Sequence, residues 1–272
     1  MLPEQFDHQL KVALSIAEQA GAIALQWFAQ RDALIISSKG HHDWVSQADQ
    51  LVEQYIREAL QTAFPEQHIL GEESGGEFCL PCWVVDPIDG TTNFLYGQAD
   101  FVVSIALVDQ QGPVLGIIYA PVHQRMFYAV RGQGAFERKA SQLLPLQSRA
   151  AAQQQLVIGL NLNYQAGIPE RYLRHSQQVI AQGHQVRVSG SAAWTLTQVA
   201  CGELDACYMG QVNIWDVMAA QFICELAGLE IAPYLSKQMT GPVWAWPKGS
   251  PLATWLNHED IIHPDRERPE YE

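Results

Sequence analysis

Asp86-Pro87-Ile88-Asp89, followed at once by Gly90-Thr91-Thr92, is the stretch whose residue types and spacing suit chemistry. Two carboxylates lie three residues apart, their spacing stiffened by a proline whose φ is fixed. Such a pair suits a hard divalent cation such as Mg²⁺, which takes oxygen ligands. Held this close, the carboxylates repel one another unless a cation sits between them. For Asp-x-x-Asp alone, the alternative is a turn in which an aspartate caps the next helix. The residues that follow favour the cation. Gly90 lets the backbone approach an anion closely. Thr91 and Thr92 would open a short helix whose free N–H groups bind phosphate. Metal ligands followed by a phosphate cradle suit a phosphate ester.

The elements that must position these residues read as follows. Residues 4–30 repeat apolar side chains at three- and four-residue steps and predict a helix, with a second from about Gln47 to Phe64. Ser37 to Asp43 is a polar, glycine-containing stretch between them. His68-Ile69-Leu70 is a short strand ending in Gly71-Glu72-Glu73-Ser74, and Trp83 to Val85 is a strand ending on Asp86. From Phe101 to Gln147, short β-rich runs separated by turn residues predict an antiparallel meander. After Arg149, strands alternate with helices: a strand at 156–162, a helix over 169–182, a short strand over 185–188, a helix over 194–200, a strand over 204–209 and a helix over 217–227. Residues 1–148 therefore read as an α+β half with the antiparallel sheet and main metal site, and 149–272 as an α/β half that completes the site. Asp216 stands just before the last helix, where spacing leaves it between a capping role and a third-strand metal ligand.

Composition narrows the function classes. The 272 residues are 48% hydrophobic and 17% charged, an ordinary globular balance. A net charge of −13 disfavours direct nucleic-acid binding. It also means that an anionic substrate needs local help, most naturally from cations. No secretory signal pattern is read at the N-terminus, and no stretch reads as a membrane span, so a cytoplasmic protein is expected. The five cysteines argue against a disulfide framework, and Cys79-Leu80-Pro81-Cys82 reads as reduced loop and strand cysteines.

GEES at 71–74, WVVDPIDGTTNF at 83–94 and WD at 215–216, in this order and spacing, resemble the inositol monophosphatase family, of the same superfamily as fructose-1,6-bisphosphatase. The resemblance runs from the first helix to about residue 232. It implies a layered α-β-α-β-α sandwich, a Mg²⁺-dependent phosphatase with two or three ions, and a homodimer. It assigns a first metal to Glu72, Asp86 and the carbonyl of Ile88, and a second to Asp86, Asp89 and Asp216. A third, weaker ion would involve Glu72 through water. Thr91 paired with Asp49 would orient and deprotonate the attacking water, the amides of Gly90 and Thr91 would hold phosphate oxygens, and Lys39 would lie on a mobile loop. Gly190-Ser191-Ala192-Ala193 matches a family turn whose backbone contacts the inositol side; a tight turn into the following helix is equally compatible.

The resemblance also bears on substrate choice. Inositol-specific members carry a glutamate that contacts ring hydroxyls seven residues before the WD aspartate; that position is Met209 here. A thioether imposes no hydrogen-bond demand. Met209 is therefore expected to face the leaving-group alcohol and to broaden specificity among small polyol, sugar and nucleoside phosphates, with Gln211 as a nearby polar substitute. Thr92-Asn93 after Asp-Gly-Thr resembles the inositol branch. The alternatives are phosphatases for fructose 1,6-bisphosphate, histidinol phosphate or 3′-phosphoadenosine 5′-phosphate, or a regulatory partner of the transcription and ribosome-assembly machinery.

Overall fold

Alternating apolar runs build two sheets, and helices with apolar stripes fill the layers around them. The computed structural model describes residues 4–40, 43–139, 142–148, 155–162, 168–236 and 238–250. The chain opens with α1 (Glu4–Ala29), the hairpin β1 (Ile36–Gly40) and β2 (Asp43–Ser46), and α2 (Gln47–Ala63). The hairpin stands where a polar loop was expected; its register irregularity lies between Ser38 and Gly40. Next come β3 (His68–Gly71), β4 (Cys82–Asp89), α3 (Thr91–Leu95), β5 (Val102–Asp109), β6 (Gly112–Ala120), β7 (Arg125–Val130), β8 (Gly134–Lys139) and β9 (Gln142–Pro145). These strands pair in chain order as a seven-stranded sheet. The β3–β4 pair is parallel and the rest is the expected antiparallel meander.

The later part holds β10 (Val157–Asn161), α4 (Ile168–Ala181), β11 (Gln185–Arg187), α5 (Ala192–Ala200), β12 (Ala206–Asn213), α6 (Ile214–Leu226), β13 (Leu229–Ala232) and β14 (Thr240–Pro247). They form a five-stranded sheet, β11-β10-β12-β14-β13, parallel among β10, β11 and β12 and antiparallel at β14 and β13. Two of the boundary differences bear on the site. β12 continues four residues past Met209 to Asn213, and α6 begins at Ile214 rather than Val217. β13 and β14 were not foreseen, because their apolar residues are broken by Pro233 and by a short run of polar residues.

Three core layers fix the order of the sandwich. Ala13, Ala17, Ala20 and Ala24 of α1, with Val52, Ile56 and Leu60 of α2, pack against Trp83, Val85, Ile105 and Ile117 of the large sheet. The opposite face of that sheet, including Cys82, Val84 and Ala106, packs on α5 and α6, which in turn cover Cys207 and Met209 of the small sheet. Tyr208, Trp244 and Val179 of α4 close the outer layer. The expected α-β-α-β-α sandwich is therefore the observed fold. Asp7–Ala29 is long and apolar enough to cross a membrane by length and composition alone, although it carries Asp7, Lys11 and Glu18. In the fold its alanine face lies on α2 and the large sheet, so its apolarity has a core to fill. Of the boundary expected near 145–152, residues 149–152 lie outside the described residues, as do the charged C-terminal tail and all residues after 250.

The two sheets are not separable bodies, because α6 is wedged between them. A Cβ on Gly116 of β6 would sit 2.6 Å from the carbonyl oxygen of Ala219 in α6. Gly116→Ala is expected to destabilise the protein by about 1–3 kcal/mol or more, since the clash is with backbone. Chemical denaturation of the variant beside the natural protein measures this.

Candidate active site

The site forms where β4 loses its neighbour. β3 pairs with β4 only as far as Gly71 opposite Val85, so Pro87, which has no N–H, interrupts no bond on that side. The pairing with β5 is irregular between Asp86 and Asp89. The D-P-I-D run thus lies inside the strand, as an irregular end, rather than in a turn beyond it. Asp86 continues the face of Cys82 and Val84, towards the start of α6. Its side chain is 1% exposed, and its Oδ1 accepts the Ile88 N–H at 3.0 Å.

Glu72, Asp86 and Asp216 converge: each offers a carboxylate oxygen, and these lie within 4.8 Å of one another. Asp216 combines a capping role with a place in this carboxylate cluster. It is the third residue of α6, where its Oδ2 accepts the Asn213 N–H at 2.7 Å in a capping box, and it still joins the cluster. Burial, and then the charges of Glu72, Asp89 and Asp216, push the Asp86 carboxyl well above the usual carboxylate range. An all-oxygen donor set of mutually repelling carboxylates fits a hard divalent cation.

Asp89 is held differently. The Ser191 hydroxyl and the Ala193 N–H (2.7 Å) donate to its Oδ2, and the Ala192 N–H (3.3 Å) to its Oδ1. These amides are the first of α5, whose positive N-terminus favours a carboxylate. Burial still pushes Asp89 up to about 6, against the lowering effect of those donors. Ser191 and Ala192, whose backbone is expected on the substrate side, thus also support Asp89, and the Ser191 hydroxyl caps α5 by accepting the Trp194 N–H at 3.1 Å.

Thr91 and Asp49, 42 residues apart, meet at 3.1 Å between Oγ1 and Oδ1. Asp49 is the third residue of α2, and its Oδ2 accepts from the Ser46 N–H (2.8 Å) and hydroxyl (2.6 Å). Burial raises the Asp49 carboxyl, while its hydrogen bonds from Ser46 and Thr91 oppose that rise. The Thr91 hydroxyl is also 3.2 Å from the Ile88 carbonyl, the oxygen expected on the first metal. Gly90 has φ +101°, and a Cβ there would sit 2.9 Å from the Asp100 carbonyl, so glycine alone allows this turn into α3.

One expected residue, Met209, is not brought to this cluster. Met209 is 0% exposed in the core shared with Cys207 and α6. The alternation of β12 turns it inward, so the expectation that it faces the leaving-group alcohol is corrected. Gln211, past the irregular pairing that follows Met209, is half-buried. Lys39 lies on β1, and its side chain is outside the described part of the structure.

Sequence reasoning missed three supports. Asn93 Nδ2 donates to the carbonyls of Asp100 and Ser189, both at 2.6 Å, tying α3 to the segment before α5. The Ser104 hydroxyl reaches the Trp215 carbonyl at 3.2 Å. Glu53, 0% exposed on α2, accepts the N–H groups of Glu73 and Ser74. Its sequence signal was a carboxylate one helical turn after Asp49.

The chain is similar to known proteins over most of its length. Residues 6–268 match the family described as the inositol monophosphatase family. An inositol monophosphatase of Dictyostelium discoideum is 35% identical over 84% of this chain and 85% of its own length. The Nus factor SuhB of Xylella fastidiosa is 35% identical over 80% of this chain and 79% of its own. The crystal structure of the extragenic suppressor protein suhB from Bartonella henselae superposes with TM-score 0.78 at 31% identity, covering 89% of this chain and 94% of that one.

The raised carboxyls have a measurable consequence. An aspartate whose folded pKa lies above its ordinary value is neutral by preference in the fold. Its contribution is thus fully favourable below the unfolded pKa and is lost as pH rises through the folded one. For Asp89 that window runs from 3.8 to about 6. The metal-free protein should therefore lose Tm across this window, and a divalent cation should restore Tm most strongly above it. Asp86→Asn should raise the metal-free Tm at neutral pH and blunt the cation response. Thermal melts with EDTA or Mg²⁺ across pH check both outcomes.

Proposed function

The chain belongs to the inositol monophosphatase family and is a phosphoric monoester hydrolase, and from that premise we propose that it hydrolyses small phosphate monoesters, inositol monophosphate-like above all, with two or three Mg²⁺ ions. The observation that carries this is the Thr91–Asp49 contact at 3.1 Å beside the Glu72, Asp86 and Asp216 cluster. Glu72, Asp86 and Asp216 would hold cations together with Asp89 and the Ile88 carbonyl. When bound, the cations supply charge neutralisation and Lewis-acid polarisation of the phosphate.

The residues themselves do the following. The amides of Gly90 and Thr91, at the start of α3, lack intrahelical partners and hold phosphoryl oxygens. The Thr91 hydroxyl takes a proton from the attacking water and passes its own to Asp49 Oδ1. Burial makes Asp49 a stronger base than an exposed aspartate. The hydroxide so formed adds to phosphorus and the ester P–O bond breaks; the departing alkoxide takes a proton from solvent water, and Asp49 returns its proton to solvent. Gln211, half-buried where Met209 is fully buried, is the polar side chain proposed to meet that alcohol. Homodimerisation and a cytoplasmic location belong to the same proposal.

A second reading rests on the SuhB relatives, one of them named a Nus factor. Under it the chain also partners the transcription machinery. Recovery of RNA polymerase or ribosome-assembly factors in a pull-down supports it, and their absence counts against it.

The catalytic proposal is tested with inositol 1-phosphate, fructose 1,6-bisphosphate, histidinol phosphate and 3′-phosphoadenosine 5′-phosphate. EDTA should abolish turnover of the preferred substrate. Thr91→Ala should lower kcat by about 10²–10⁴-fold with little change in KM. A change confined to KM would demote Thr91 to a binding residue.

A further inference from the structure

Glu53 is a fully buried carboxylate outside the metal cluster, and both of its oxygens are engaged. Oε2 accepts the Glu73 N–H at 2.7 Å, and Oε1 accepts the Ser74 N–H at 2.9 Å and the Arg57 Nε–H at 2.8 Å. Arg57 extends the clamp, donating through Nη1 to the Ile69 carbonyl at 3.4 Å and through Nη2 to the Gly75 carbonyl. The same turn is closed by the Gly71 N–H on the Gly75 carbonyl at 3.0 Å. A Cβ at Gly71 would stand 2.5 Å from Glu53 Oε1, so the carboxylate rests directly against the backbone of the turn.

We propose that Glu53 is a positioning residue for the cation site: it fixes the 71–75 turn so that the Glu72 carboxylate meets Asp86 and Asp216. The inference rests on the phosphatase reading for its purpose. Glu72 is one residue from each end of Glu53's grip, Gly71 and Glu73, so its Cα has little freedom. Glu53 also lies four residues after Asp49, one turn along the same face of α2. One helix face thus aims both the Thr91–Asp49 pair and the Glu72 turn. A buried charge is a poor way to gain stability alone, since an apolar residue of similar volume often serves as well. The carboxylate supplies acceptors for two amides that no apolar residue could satisfy.

The test uses Glu53→Gln in the full chain, with Arg57→Gln as a second variant. Arg57 is partly exposed, so its loss leaves the fold intact while loosening the same turn. Mg²⁺ and Mn²⁺ titrations are followed by calorimetry and thermal shift without substrate, and by turnover. The expected result is a metal half-saturation weakened by about 10–100-fold in Glu53→Gln, and in the same direction in Arg57→Gln. KM at saturating metal should stay near that of the natural protein, with kcat recovering as metal rises. Lower Tm with unchanged metal half-saturation in the folded variants would overturn the proposal and leave Glu53 a structural clamp. Natural protein that binds the cation but turns over no monoester would instead overturn the phosphatase reading; the substrate-free titrations still decide the role of Glu53.

Discussion

The crowding of buried like charges is the constraint on which the rest of the structure depends. Asp86 is 1% exposed and Asp89 8%, and Glu72 and Asp216 stand beside them. Carboxylates this close and this dry oppose one another's ionisation. The fold surrounds them with helix N-termini. The first turn of α2 carries Asp49, that of α5 supplies the amides that hold Asp89, and that of α6 carries Asp216. Each start presents N–H groups and a partial positive charge where negative charge collects. These donors hold the carboxylates in place but do not neutralise them, which leaves the work of neutralisation to cations.

No part of the chain builds this site alone. Glu72, Asp86, Asp89 and Thr91 come from the large sheet and its ends, Asp49 from the helix beneath it, and Ser191 and Asp216 from the later segment. Their mutual placement depends on α5 and α6 lying flush between the two sheets. The close approach of α6 to β6 at Gly116, and the Asn93 bonds to Asp100 and Ser189, set that spacing. An error of an ångström in the middle layer would move Asp216 and the Asp89 support away from Asp86 together, because the two helices pack on each other.

The metal end of the site and the alcohol end follow different logic. At the metal end every carboxylate has at least one fixed protein donor or a fixed backbone. At the alcohol end, β12 turns Met209 into the core and leaves Gln211 half-buried. The carboxylate cluster is therefore built from constrained residues, while under the function proposed above the choice of alcohol falls to Gln211 near the end of β12. Relatives named as inositol monophosphatase and as Nus factor SuhB, at equal identity to this chain, are consistent with a fixed centre and variable surroundings.

Features governed by short-range rules were legible in the residues alone. Residue type and spacing in DPIDGTT, GEES and WD identified the carboxylates. Helical and strand periods located α1, α2, the meander and the alternation of elements after it, and the resemblance supplied the layered order. Tertiary structure decided what depends on residues far apart in the chain. Whether Asp216 caps or joins the cluster was undecidable from spacing, because both need the same place at a helix start. Met209 was assigned to the site by counting back from Asp216, but the direction of a strand residue depends on which sheet face is buried, and β12 buries both. That the Ser191 hydroxyl donates to Asp89, 102 residues away in the chain, followed only from the packing of α5 against the end of β4. Glu53 read as one more charge on α2 until the turn at 71–75 folded onto it.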